Sequence, residues 1–212
     1  MAILTQGILG TVVGKTGPVV SYIRYGQNIS RSKGNTRKNR IETPARKMQR
    51  QKIKICNDFT RAFAGSGFFT RSFPAYGHTG SGYNRATSCI MNLAIVNTPV
   101  ISIAWPKVLI SKGPLAPVEY ASALVNGESN IVFNWTDNSG DGTAKKNDKA
   151  VMVAYFPETG EAVYMFSTAE RKNETATLEM KAVTGTAHTW LGFLSADETH
   201  AANSVYTGSL VV

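Results

Sequence analysis

Short apolar pairs alternate with glycine and polar residues near the start of the chain. The pairs Val12-Val13 and Val19-Val20 are β-branched, and Tyr22-Ile23 adds an aromatic residue. Residues of these types favour strands over helices. The pattern therefore predicts a β-hairpin or a short meander over residues 7–33, with a turn at Gly14-Lys15-Thr16-Gly17-Pro18.

A helical spacing of apolar residues follows a polar linker at residues 34–42. Four apolar residues recur at intervals of seven, four and four: Met48, Ile55, Phe59 and Phe63. This spacing predicts one face of an amphipathic helix. Thr43-Pro44 predicts its start, because threonine caps helix N-termini and proline suits the first helical position. Glycines predict its end at residues 65–67, and residues 82–96 predict a second helix.

From residue 99 onwards the chain consists of short alternating or apolar runs separated by turn sequences. The runs are VISIAW, VLIS, IVFNW, AVMVAYF, EAVYMF, TATLEM, HTWLGFLS and VYTGSLVV. Strands at roughly ten-residue spacing predict an antiparallel β-sandwich. IVFNW, VMVAYF and TWLGFLS resemble strands B, C and F of a fibronectin type III or immunoglobulin-like domain. The expected fold class is α+β, with a basic hairpin-and-helix region at residues 1–98 and the sandwich at 99–212.

The charges are divided unevenly along the chain. Residues 1–85 hold 15 of the 23 Lys and Arg but only Glu42 and Asp58 as acids, a balance of +13. The remaining residues hold 8 basic and 12 acidic side chains, a balance of −4 within the overall +9. A basic arm of this kind attracts polyanions or docks on an acidic neighbour.

The densest basic segment spans residues 31–54, and we assign it to nucleic-acid or partner binding. The assigned residues are Arg31, Lys33, Arg37, Lys38, Arg40, Arg46, Lys47 and Arg50. Contacts to phosphates need little more than such a cluster. Stacking on bases needs interleaved aromatic residues, and the segment contains none.

The stretch GTVVGKTG at residues 10–17 is similar to a phosphate-binding P-loop but departs from it twice. Only three residues separate Gly10 from Gly14, where a P-loop has four. A P-loop also leads into a helix, whereas GPVVSYI predicts a strand. The stretch is therefore interpreted as part of a hairpin.

The stretch DNSGDGTAKKND has the ligand spacing of a calcium loop. Asp137, Ser139, Asp141 and Asp148 occupy positions one, three, five and twelve, and Gly142 occupies position six. Predicted strands flank the loop where a calcium loop of this type has helices. Two interpretations of this loop remain open: a calcium site and a polar connection between two strands.

Sequence motifs of enzymes are absent from the chain. The three histidines lie far apart and outside metal-binding spacings, and His188 is expected to be a satisfied histidine on an edge strand. The two cysteines lack C-x-x-C spacing and are expected to be reduced and buried. No apolar run approaches the roughly 20 residues that span a bilayer, and no signal peptide is recognised. These features predict a non-enzymatic cytoplasmic protein, or a virion protein if the gene is a phage gene.

Several longer stretches resemble a known family. GILGTVVGKTGPVVSYIRYGQNISRS, TPARKMQRQK, VLISKGPL, WTDNSGDGTAKKNDKAVMVAYFPETGEAVY and NSVYTGSL look like an uncharacterised family of Bacteroidota bacteria, a domain of unknown function. The likeness covers almost the whole chain. It implies no activity and no catalytic residues.

The N-terminal half is also similar to a pattern in some phage virion-associated proteins. The pattern is a glycine-punctuated hairpin, a basic linker and a helix start, carried here by Thr43, Ala45, Gln49 and Lys52. We expect a structural or interaction protein whose basic arm docks on protein partners in a homo-oligomer or larger assembly. The alternatives are nucleic-acid binding through residues 31–54 and a calcium- or carbohydrate-binding sandwich. No cofactor other than calcium and no membrane partner is expected.

Overall fold

The computed structural model describes residues 2–4, 10–34, 42–77, 79–97, 100–127, 130–180 and 183–212. Its contacts divide the chain into two compact units, Met1–Pro44 and Ala45–Val212. The composition predicted a change at residue 98. The contacts instead join the helices to the sandwich, because both contribute side chains to one hydrophobic core.

The N-terminal unit contains an antiparallel four-stranded meander. Its strands β1 (Ala2–Leu4), β2 (Val12–Thr16), β3 (Val19–Arg24) and β4 (Gln27–Ser32) neighbour one another in chain order. The predicted turn is too long, since Gly14, Lys15 and Thr16 belong to β2 and only residues 17–18 form the connection. The next turn has Tyr25 at φ 51° and Gly26 at φ 77°, the left-handed pair of a type I′ hairpin. No helix follows β2, in agreement with the hairpin interpretation of GTVVGKTG.

Three helices open the second unit: α1 (Pro44–Arg61), α2 (Phe68–Ser72) and α3 (Gly82–Leu93). Helix α1 begins at the predicted Pro44. The predicted apolar face is buried only in its later part, since Phe59 is buried but Met48 is 45% exposed. Helix α2 lies between the two predicted helices, where no helix was predicted. Helix α3 ends before residue 96, because β5 (Ile95–Val96) pairs with β6 (Ser102–Ile103).

Seven strands form two antiparallel sheets after residue 118. They are β7 (Glu119–Val125), β8 (Ile131–Thr136), β9 (Lys149–Phe156), β10 (Glu161–Glu170), β11 (Thr175–Leu178), β12 (Thr186–Leu194) and β13 (Val205–Val211). The larger sheet has the order β10-β9-β12-β13, and the smaller has the order β11-β8-β7. The predicted B strand lies in the smaller sheet, and the predicted C and F strands are neighbours in the larger one. This is the arrangement of an immunoglobulin-like sandwich.

Two predicted strands differ from the structure. VISIAW contributes only β6, and VLIS at residues 108–111 is not a strand. In VLIS the side chain of Ser204 accepts the Ile110 N–H at 2.9 Å, so a side chain takes the place of a ladder partner. Strand β7 was missed, because only Ala123 among its residues is buried and its alternation is weak.

The larger sheet is covered on both faces. Along β9, Val151, Val153 and Tyr155 pack with the helices, whereas Met152 and Phe156 pack against the smaller sheet. Phe59 of α1 lies 4.8 Å from the Tyr155 ring, measured between centroids. Strand β9 therefore reads as a continuous buried run, although it belongs to an antiparallel sheet.

Candidate interaction surface

One face of the N-terminal sheet combines positive charge with apolar side chains. Residues directly opposite each other in an antiparallel pair share a face. The pairing therefore gathers onto one face, which we call the basic face, the residues Lys15, Val20, Tyr22, Arg24, Ile29 and Arg31. The Arg31 guanidinium lies 5.5 Å from the centroid of the Tyr22 ring. This distance is within the range of a cation–π contact.

The opposite face of the same sheet carries no charge on strands β3 and β4. Val19, Ser21 and Ile23 alternate with the residues of the basic face and pair with Ser32, Ser30 and Asn28. The hydroxyls of Ser21 and Ser30 are 2.7 Å apart and share a hydrogen bond. This face is therefore polar, with valine and isoleucine between the hydroxyls.

Strands β2 to β4 carry solvent-exposed side chains on both faces of the N-terminal sheet. Of residues 10–34 only Ser21 is buried. Ile23 is 55% exposed, Tyr25 52% and Val19 38%. A sheet of four strands ordinarily buries one face against another element. These apolar side chains are the part of the unit that a partner would cover.

A second basic surface lies on the first half of α1. Residues 44–51 are all exposed. Arg46, Arg50 and Lys54 recur every four residues, which places them on one side of the helix, with Lys47 beside Arg46. The later half of the helix turns Cys56, Phe59 and Thr60 into the core.

The loop predicted as a calcium site is organised around an ion pair. Asp148 is fully buried, and its Oδ2 lies 3.2 Å from Nη2 of the equally buried Arg171. The same oxygen accepts the Lys145 N–H at 2.9 Å. Asp137 instead accepts the N–H of Ser139 at 2.9 Å, which lowers the pKa of that carboxyl. Within the described residues, no group of three or more His, Cys, Asp or Glu is arranged to hold a metal ion. The calcium alternative therefore depends on spacing alone.

Arg171 connects several segments of the sandwich. Its Nη1 donates to Asn138 Oδ1 at 2.5 Å and its Nη2 to the Ala116 carbonyl at 3.1 Å. The guanidinium also lies 4.0 Å from the centroid of the Phe193 ring. Burial lowers the pKa of Arg171, and the Asp148 carboxylate opposes that shift. The side chain is surrounded by acceptors and is a structural connection.

His188 lies between aromatic rings in the larger sheet. Its Nδ1 is 2.8 Å from the Tyr206 hydroxyl, and its ring stacks on Trp105 at a centroid distance of 4.7 Å. Burial lowers its pKa from the usual value of 6.5. The expected satisfied histidine is confirmed, but β12 lies between β9 and β13 and is not an edge strand.

Most of the chain matches the sequence pattern of a known protein family. The pattern of one family of unknown function matches residues 4–208, a range that includes strands of both compact units. The chain belongs to the DUF6266 family. The resemblance to a domain of unknown function is therefore confirmed, and DUF6266 brings no described activity to the chain. A search of proteins with curated descriptions finds no match.

The predicted binding residues of this DUF6266 chain fall in three places. Arg31 lies on the basic face, and Lys33 follows β4 with its N–H donated to the Pro18 carbonyl at 2.7 Å. Arg46, Lys47 and Arg50 lie on the exposed half of α1. The predictions for residues 37, 38 and 40 (Arg37, Lys38 and Arg40) lie outside the described residues.

Of the basic face, the assigned binding residues included only Arg31 and omitted Lys15, Val20, Tyr22, Arg24 and Ile29. Lys15 was interpreted as a turn residue, and the assignment followed charge density rather than strand pairing. The alternation of Val20, Tyr22 and Arg24 was the available signal. Within the described residues no helix is both long and apolar enough to cross a membrane.

Proposed function

We propose that the chain is a non-enzymatic structural protein that self-assembles, with the N-terminal sheet of one copy docking through its basic face on the sandwich of another. One observation carries the proposal: a four-stranded sheet leaves apolar side chains exposed on both faces. Ile23 and Val19 are exposed on one face. On the other, Val20, Tyr22 and Ile29 are only partly buried.

The energetics of the sheet favour a partner. Ordering the backbone costs roughly 1–2 kcal/mol per residue, and small units offset this cost only when they bury enough apolar surface. Fully burying a valine or isoleucine side chain stabilises a structure by about 1.5–3 kcal/mol. Covering Val20, Tyr22 and Ile29 on a second molecule would supply several such increments. The apolar side chains on the sheet would therefore be stabilised by contact with a second molecule.

The charges favour another copy of the chain as that partner. The basic face carries Lys15, Arg24 and Arg31, whereas residues 99–212 hold 12 acidic and 8 basic side chains. Surfaces of opposite sign steer association and suppress wrong partners. Docking the arm of one molecule on the sandwich of the next joins opposite charges and leaves each chain able to continue the assembly.

The test is light scattering on a sizing column, with absorbance at 260 and 280 nm, before and after nuclease. We expect an oligomer that is resistant to nuclease, free of nucleic acid, and dissociated by salt. Replacing Arg24 and Arg31 by glutamate should convert it to monomer. The matched control is the double variant Arg61→Glu/Lys107→Glu, which reverses two charges at exposed residues of the second unit and should leave the oligomer intact.

Two outcomes would reject self-assembly. The first is a wild-type protein that stays monomeric up to about 1 mM, since association is then weaker than about −4 kcal/mol. The second is an oligomer that the control and the Arg24/Arg31 variant weaken equally. In that case general charge would drive association, and the basic face would have no special role.

Nucleic-acid binding is the second candidate, favoured by the exposed basic side of α1. Four cations, Arg46, Lys47, Arg50 and Lys54, are arranged where a helix can follow a phosphate backbone. Four phosphate contacts to duplex DNA give a slope of about −3.6 in log affinity against log salt. A complex rich in 260 nm absorbance that becomes monomeric after nuclease would favour this candidate over self-assembly.

A further inference from the structure

The second unit contains a large cavity that neither proposed function uses. Its volume is about 920 Å³, within the range of roughly 300–1,000 Å³ typical of small-molecule sites. One wall is helix α3, and the opposite side is formed by Phe73, Pro74, Tyr76, Thr79 and residues 112–114. Phe73 and Cys89 line it and are 3% and 8% exposed. These two side chains form an apolar floor that a ligand could contact.

The charged side chains that line this cavity are positive. Arg85 and Lys112 line it, and no acidic residue does so in the part of the chain that the structure describes. The guanidinium of Arg85 is held by backbone carbonyls: Nε donates to Phe73 O at 3.0 Å and Nη1 to Gly80 O at 2.6 Å. Within the described residues, no carboxylate forms an ion pair with Arg85 or Lys112. The cavity therefore has a positive potential that an anion would neutralise.

The field of Lys112 reaches the floor of the cavity. Burial raises the pKa of the Cys89 thiol, and the positive charge of Lys112 acts in the opposite direction. Lys112 itself is exposed, so its ammonium can move towards a ligand. The apolar floor and the cationic rim are therefore close enough to contact one molecule.

The far wall of the cavity is held in shape before any ligand arrives. Tyr76 adopts a left-handed backbone with φ 43°, and its hydroxyl accepts the Ala201 N–H at 2.6 Å. A side chain at Gly113 would collide with the Tyr76 hydroxyl and with the carbonyl of Ala201. Arg85 fixes the same wall by bonding to Phe73 and Gly80. Such a preformed wall reduces the entropy that a ligand must overcome.

We propose that this cavity binds a small amphipathic carboxylate. The apolar body of the ligand, an aromatic ring or a short acyl chain, lies against Phe73, Cys89 and Tyr76. Its carboxylate lies beside Lys112, within the positive potential that Arg85 reinforces. This ligand class follows from the apolar floor combined with two cations and, among the described lining residues, no carboxylate.

The probe is 1-naphthoate, measured by isothermal titration calorimetry on the full chain, with neutral 1-naphthalenemethanol as the comparison ligand. We expect the wild type to bind naphthoate at least tenfold more tightly than the alcohol. Lys112→Glu should weaken naphthoate binding tenfold or more and leave the alcohol unaffected. Lys107→Glu, an exposed lysine outside the cavity lining, is the matched control and should bind as the wild type does.

A cavity-filling variant tests the location independently of charge. Ser88 is exposed and lines the cavity, so Ser88→Trp should abolish binding of both ligands. Asn92→Trp, at another exposed lining position, is the second variant if the first does not fold. Absence of naphthoate binding to the wild type overturns the proposal. So does equal affinity for the alcohol, or binding that survives filling of the cavity by a folded variant.

Discussion

The Arg171 guanidinium and the Asp148 carboxylate form an ion pair from which solvent is fully excluded. Both side chains have 0% relative exposure, and Nη2 lies 3.2 Å from Oδ2. The mutual attraction of the two charges and their hydrogen bonds offset the cost of desolvating them, although Asp148 Oδ1 has no hydrogen-bond partner among the described residues. Asn138, Ala116 and the Phe193 ring complete the surroundings of the guanidinium. Removing either partner therefore leaves the other as a buried charge without its counterion.

Arg171→Ala should lower the free energy of unfolding by about 3–5 kcal/mol, the cost of breaking a buried pair. Urea denaturation measures this loss. The neighbouring Lys172→Ala is the matched control, because its pair with Glu170 is on the surface and such pairs contribute about 0–1 kcal/mol. A loss below about 1 kcal/mol in Arg171→Ala would mean that water enters the site readily.

Millimolar calcium should leave the melting temperature unchanged. Asp148 Oδ2 accepts hydrogen bonds from Arg171 and from the Lys145 N–H, so the residue at the twelfth position of the proposed loop is already paired with a cation of the protein. A site with calcium at 100 times its Kd would add about 2.7 kcal/mol, which is easily seen by differential scanning fluorimetry. A clear rise in melting temperature with calcium, absent in Asp141→Asn, would instead support the calcium site.

His188 should make the fold less stable as the pH falls. Its folded-state pKa lies below 6.5 because burial disfavours the imidazolium, so the unfolded chain binds the proton more readily. The contribution of neutral His188 is present above pH 6.5 and is lost as the pH falls through 6.5 towards the folded pKa.

Urea denaturation between pH 7.5 and 5.5 measures this effect. His188→Phe should reduce the pH dependence, whereas the control His200→Gln, at an exposed position, should keep it. An unchanged pH dependence in His188→Phe would show that other groups are responsible.

Deleting residues 1–43 should leave a stable, monomeric second unit. Both hydrophobic clusters are built from residues beyond position 55, so the truncated chain keeps its whole core. The melting temperature should change by less than about 3 °C, which corresponds to less than about 1 kcal/mol for a chain of this size. Light scattering should at the same time show loss of the oligomer. Loss of cooperative melting would mean that the arm contributes to the core.

The features that the sequence predicted well are those set by neighbouring residues. Proline at the first helical position predicted the start of α1 at Pro44, and the alternation in IVFNW and the apolar run VMVAYF predicted strands of the two sheets. The basic face was predicted only in part. Lys15 joins Val20 and Arg31 through strand register, which charge density along the chain does not contain.

The buried pair was beyond prediction from local sequence. Arg171 stands between Glu170 and Lys172 in a charged stretch typical of a surface turn. Its burial depends on Ala116 and Asn138, which are 55 and 33 residues away. The regular spacing of Asp137, Ser139, Asp141 and Asp148 suggested a cation from outside. In the structure, the cation beside Asp148 is the guanidinium of Arg171.

The two-sided burial of the larger sheet limits how this molecule can be recognised or engineered. In many sandwiches a sheet face is open, so partners bind there and substitutions on it are tolerated. Here Val153 and Tyr155 of β9 face the helices and Met152 faces the smaller sheet, so a substitution on either side of β9 meets packed neighbours. Libraries for new binding specificities should therefore vary the connecting loops and the outer side of β7, where Tyr120 is 85% exposed and Leu124 60%. The central strands should remain fixed.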